Sequence, residues 1–194
     1  MSLSYQVALL LGGIAEAKAS SINIPMAIAI TDANGGLLHF GRMDATLPAS
    51  PEIAVSKAYT AAALRMPTHK VGELAQPGGM LYGIQNSMDK NIILFGGGIP
   101  LTGRNQVIGA VGISGGTVQE DIVVAEFVED SFEKMKSYSE LLRPLLPGNF
   151  VKEVDENLLR YSLNCAFQRE LPKERSNVIE TLIGAILLLN RNNI

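Results

Sequence analysis

Cysteine, histidine, long apolar runs and blocks of like charge are all scarce in this 194-residue chain, and each scarcity excludes something. The lone cysteine, Cys165, rules out an intrachain disulfide and lacks the second cysteine or neighbouring histidines of a zinc site, so no metal is expected. That usage fits a reducing, cytoplasmic setting. With 16 basic and 19 acidic residues and no run of either sign, the net charge of -3 leaves no electrostatic footprint for nucleic acid. The longest apolar stretch, Leu182 to Leu189, falls far short of the roughly 18 to 20 residues that cross a bilayer, so no membrane span is expected. No basic segment followed by an apolar one opens the chain, so no export signal is expected either.

What is present is a 47% hydrophobic chain, enough to build a core for one generous domain or a domain with an appendage. Val7, Leu10, Leu11, Ile14 and Ala17 recur at helical spacing and predict a first helix over residues 5–21. Inside it, Gly12 and Gly13 each cost about 1 kcal/mol against alanine, which predicts a closely packed neighbour, a backbone by expectation. Met26 to Thr31 and Leu37 to Met43 flank Asn34-Gly35, whose capacity for positive φ marks a hairpin turn. A second hairpin is expected from Ile99–Leu101 and Val107–Ser114, with Ile92–Phe95 as a further strand, making five antiparallel strands. Ser50-Pro51-Glu52 has the form of a helix start, with a hydroxyl cap, and Pro67 closes that helix near Met66. Thr117-Val118-Gln119-Glu120 matches a capping box and predicts a helix to about Met135. Pro144, Pro147 and Gly148 then mark a boundary between residues 1–146 and an appendage, 147–194, which reads as a helical hairpin. Its second helix, Val178 to Asn190, is apolar almost all round and is expected to be buried against the main domain or another subunit.

Four blocks in order carry a resemblance: Asp32-Ala33-Asn34-Gly35-Gly36-Leu37-Leu38-His39-Phe40-Gly41-Arg42-Met43-Asp44-Ala45, Ala54-Val55-Ser56-Lys57-Ala58-Tyr59-Thr60-Ala61, Gly97-Gly98-Ile99-Pro100-Leu101, and Val111-Gly112-Ile113-Ser114-Gly115-Gly116-Thr117. Together they resemble the GlcG/HbpS family, which includes the C-terminal domain of PduO proteins. The resemblance covers residues 5 to about 138. It implies an α+β, profilin-like fold with one antiparallel sheet and packed helices, assembled as a homo-oligomer. It also implies haem as a candidate cofactor, since several members associate with it, and a setting in glycolate, glycerol or propanediol use.

The haem-ligating members use histidines, some on the first helix, and residues 5–21 contain none. Only His39 and His69 exist in the chain. By strand alternation His39 points away from Leu38 and Phe40, and His69 follows Pro67-Thr68, near the closing carbonyls of a helix. Solvation and capping are their ordinary roles; ligation is the functional one. Tyr59, Tyr82 and Met66 are the other candidate axial ligands, each of a type that commonly just fills a core. Ser114, Gly115, Gly116 and Thr117, at the head of a capped helix, would offer unpaired N–H groups to a carboxylate, or else make only a turn. Lys57 sits on a helix with a small apolar face, where burial would lower its pKa and suit it to ligand binding or to work as a base or nucleophile. Asp44, Glu120 and Asp121 are not paired by local spacing.

Three functions follow as expectations. A small-molecule-binding module, for haem or another planar anion, comes first, because no nucleophile, base and orienter assemble from the sequence. An enzyme of diol or hydroxyacid metabolism is the second. A structural accessory of a larger enzyme or a microcompartment is the third.

Overall fold

The structure is a computed structural model and describes residues 2–87 and 91–142. Helix α1 (Tyr5–Ser21) begins at Ser4, whose hydroxyl accepts from the Val7 N–H at 3.3 Å. Strands β1 (Ala27–Asp32) and β2 (Leu37–Arg42) follow as a hairpin, turned by Gly35 at φ +78° while the Asp32 carboxylate accepts from Asn34 and Gly36. Asn34 keeps a negative φ, so the glycine alone supplies the left-handed residue.

Helices α2 (Ser50–Leu64) and α3 (Thr68–Leu74) lead to β3 (Gly98–Gly103) and β4 (Gln106–Ser114). The second hairpin closes on two residues, Arg104 and Asn105, both at positive φ, as the twist of a tight hairpin requires. Helix α4 (Val118–Leu142) completes the described chain. All pairs are antiparallel in the order β2-β1-β4-β3. Among the described residues the sheet therefore has four strands, not five, because residues 92–95 pair with none of them.

Two further expectations are corrected. Ser50 is the first residue of α2 rather than its cap, and the helix ends at Leu64 through Arg65 in the left-handed region, ahead of Pro67. His69 lies in the first turn of α3, not at the closing carbonyls of α2. There the unpaired backbone groups are donors, not the carbonyls a capping side chain would meet at a helix end.

Small residues decide how the layers pack. Ala27 and Ala29 of β1 form a buried cluster with Ala54 and Ala58 of α2, and Ala110 of β4 does so with Ala61 and Ala62. Alternation then sends Ile28, Ile30, Val111 and Ile113 to the opposite face, where α1 packs on β1 and β2. Within α1, Val7, Leu10 and Leu11 are buried, whereas Ala17 is exposed.

The chain divides into a unit of residues 1–129 and a second from Asp130 onward. Of the second, only the continuation of α4 is described. The expected boundary at 146–147, the helical hairpin and the burial of Val178–Leu189 all lie outside the described residues.

Candidate functional site

Two places in the first unit gather chemically capable side chains. One surrounds Lys57, which α2 turns inward beside Ala54, Ala58 and Ala61, leaving the residue with 0% of its surface exposed. Its Nζ donates to the Ile113 carbonyl at 2.8 Å and to Asp121 Oδ2 at 2.6 Å, and lies 5.0 Å from the centroid of the Phe95 ring. Gly97 lets this happen: at φ +106°, a Cβ there would stand 2.8 Å from Nζ and 2.7 Å from the Ile113 oxygen. Asp121 Oδ1 accepts from the Gly116 N–H at 3.1 Å, and the Gly115 N–H also donates to this carboxylate.

Burial lowers the Lys57 pKa and raises that of Asp121, and their mutual attraction works against both shifts. The ammonium is thus held inside the protein by two hydrogen bonds and an aromatic ring. Lys57 binds α2 to the start of α4, to the end of β4 and to Phe95 in the segment that leads into β3.

The Ser114–Thr117 segment belongs to the same cluster, but its donors are not vacant. Gly115 and Gly116 serve Asp121, and the Thr117 N–H donates to Glu120 Oε2 at 2.7 Å while the Glu120 N–H returns to Thr117 Oγ1 at 3.3 Å. The predicted capping box is present. These bonds hold the Glu120 carboxyl below the usual carboxylate range. The expected anion seat at this helix start is filled by two carboxylates of the chain itself.

The second place is His39. Its register partner is Ile30, so it faces α1, while Phe40, opposite Ala29, faces α2. The Cδ2–Nε2 edge of the imidazole rests where a Cβ on Gly12 would stand, which explains the glycine in α1: the close neighbour is a side chain, not a backbone. His39 is half-buried; Gly41 of β2 lies beside its Nε2, and the partly exposed Glu16 of α1 is close enough to act on its charge. Burial lowers its pKa below 6.5, with the Glu16 carboxylate pulling the other way. The neutral imidazole, with a lone pair to donate, is therefore the form at neutral pH.

The remaining candidates do not join it. Tyr59, on α2, packs against Gly35. His69 sits beside Thr68, which bonds Gly98 at the start of β3, the strand at the opposite edge from β2; its Nδ1 is buried without a hydrogen-bond partner among the described residues. Tyr82 is exposed on the loop after α3, and Met66 is half-buried in the α2–α3 link. Among the described residues no three metal-ligating side chains converge, and no helix is long and apolar enough to cross a membrane.

The fold and these sites define a class: an α+β protein with one antiparallel sheet, an alanine- and glycine-paved helix contact on one face and a histidine against the first helix on the other. A family profile described as haem degrading protein HbpS-like matches residues 3–128, and the chain belongs to that family. It is 44% identical over 120 residues to an uncharacterized 15.0 kDa protein of the dhaT-dhaS intergenic region of Citrobacter freundii, covering 62% of this chain and 84% of that one. It is 40% identical over 126 residues to the corrinoid adenosyltransferase PduO of the same organism, covering 65% of this chain but only 38% of the relative. Among solved structures, the PduOC:heme complex superposes with a TM-score of 0.65 at 34% identity, over 68% of this chain and 95% of that one.

Proposed function

We propose that this chain is a small-molecule-binding accessory module whose ligand is haem, with His39 as the axial donor. The observation that carries the reading is the state of His39: a half-buried imidazole whose pKa is lowered by burial, seated on Gly12 of α1 with Gly41 beside its Nε2. The solved haem complex of a relative at 34% identity supports the choice of ligand. The donor set fits a single protein ligand to the iron, because His39 lies on the β2 side of the sheet and His69 beside β3. Bound haem would supply iron-centred ligand and redox chemistry. The chain's part is to orient the imidazole through Gly12 and to hold it deprotonated.

The reading of an enzyme of diol or hydroxyacid metabolism gains nothing from Lys57, whose ammonium is buried and fully engaged. The adenosyltransferase activity named for PduO is not carried over, since the match covers little more than a third of that protein.

Haemin titration followed by absorbance tests the reading. The expected result is a Soret band saturating at one haem per chain, with a spectrum of single-imidazole rather than bis-histidine type. No saturable Soret band, or a bis-histidine low-spin spectrum, refutes it.

A further inference from the structure

Strand β2 is an edge of the sheet, and the Met43 N–H bond to the Met26 carbonyl, 3.1 Å, fixes which way its amides point. Bonded and non-bonded pairs alternate along an antiparallel ladder. With the register Ala27↔Arg42, Ile28↔Gly41 and Ala29↔Phe40, it follows that Phe40 and Arg42 aim their N–H and C=O groups away from β1. Among the described residues, no backbone group outside the sheet bonds these main-chain groups, while the Arg42 guanidinium donates to the Thr46 carbonyl at 3.3 Å. Phe40 is also 40% exposed. The other edge differs: β3 is buried at every position but Thr102 and carries Pro100, which has no N–H to offer.

We propose that β2 pairs antiparallel with β2 of a second copy of this chain, across a two-fold axis at Gly41, giving one continuous sheet with four strands from each copy. The register that uses all the outward groups is complementary to itself. Phe40 of each copy faces Arg42 of the other, so four backbone hydrogen bonds form and each guanidinium meets an aromatic ring instead of a second cation. Gly41 faces its own copy as a non-bonded pair, where the Cα atoms come within about 4.5 Å and no side chain intervenes. The bulge between Ile30 and Thr31 lies beyond His39, outside the paired segment. Any extended peptide offers backbone groups to this edge, but the Phe40-Gly41-Arg42 alternation of aromatic, small and cationic residues is matched by the same strand of a second copy. An unprotected edge is the feature that invites such pairing.

The test uses the full chain with Cys165→Ser, so that added cysteines act alone. Gly41→Cys is tolerated within the protomer, because its Cβ would meet only His39 Nε2 at 3.7 Å. Across the axis it would fall within the Cα separation of about 4.4 to 6.8 Å that disulfides accept. Under mild oxidation this variant is expected to give a covalent dimer that reductant dissolves, faster than Leu47→Cys, which is equally open at 61% exposure but off the strand. Phe40→Pro removes an outward N–H without taking a bond from β1, and is expected to halve the mass measured by light scattering. A wild-type mass of one chain at every concentration, an unchanged mass in Phe40→Pro, or Gly41→Cys cross-linking no faster than Leu47→Cys overturns the proposal. If Phe40→Pro fails to fold, the cross-linking comparison decides alone.

Discussion

Replacing either member of the Lys57–Asp121 pair should show how firmly the sheet ends and the two helices depend on it. Breaking a buried ion pair from one side typically costs about 3 to 5 kcal/mol, since the survivor is left uncompensated. The geometry orders the two halves. In Lys57→Met, Asp121 retains the N–H groups of Gly115 and Gly116, so the loss should fall near the lower figure, about 3 kcal/mol. In Asp121→Leu, the ammonium keeps only the Ile113 carbonyl and the Phe95 ring, and two backbone donors lose their acceptor as well, so the loss should approach about 5 kcal/mol. The double variant should recover much of this, because apolar replacement of both partners is often close to neutral. Urea unfolding followed by circular dichroism, with linear extrapolation, measures all four proteins. Single variants within about 1 kcal/mol of the wild type, or losses that add without coupling in the double variant, would refute the account of this cluster.

Three further outcomes follow from individual residues. Thr31 is fully buried and its Oγ1 has no hydrogen-bond partner among the described residues, so Thr31→Val should raise stability by about 1 kcal/mol in the same assay. Gly12→Ala should destabilise despite a helix-propensity gain of about 1 kcal/mol, because the new methyl enters the space of the His39 ring and overpacking costs roughly 1 to 3 kcal/mol; thermal denaturation gives the sign. The His39 pKa is lowered on folding, so between 6.5 and the folded value the unfolded chain binds more protons and stability falls with falling pH. Replacing His39 by Gln should flatten a denaturation-midpoint profile across that window, whereas haem affinity should fall only at lower pH, as the pH drops through the folded value and the folded imidazole takes up its proton.

Local signals made most of the frame legible. Gly35 and the Thr117–Glu120 box act over a few residues, and a short-range hydrogen bond or a positive φ is written in the residue type. The strand count was overread because Ile92–Phe95 has the composition of a strand, while pairing depends on an available edge that composition does not encode. The Ser50 cap shifted by one residue, within the ambiguity of a Ser-Pro start. For the site, the glycines of Ser114–Thr117 did mark a helix start rich in N–H groups. What fills it, Asp121, also holds Lys57 from 64 residues away, and only the folded chain reveals that pairing. The Gly12–His39 contact was half visible, since a helix-weakening glycine asked for a partner, but nothing local named the partner. Phe95, Gly97 and Glu16 were missed because each acts through tertiary proximity alone.

The central claim is that His39 holds the ligand, and haemin titration of His39→Ala beside His69→Ala tests it most directly, with circular dichroism confirming that both variants are folded. Loss of the axial bond should abolish the single-imidazole spectrum and weaken affinity in His39→Ala, while His69→Ala, altered at the opposite edge of the sheet, should titrate as the wild type does. Wild-type spectrum and affinity in His39→Ala would contradict the assignment.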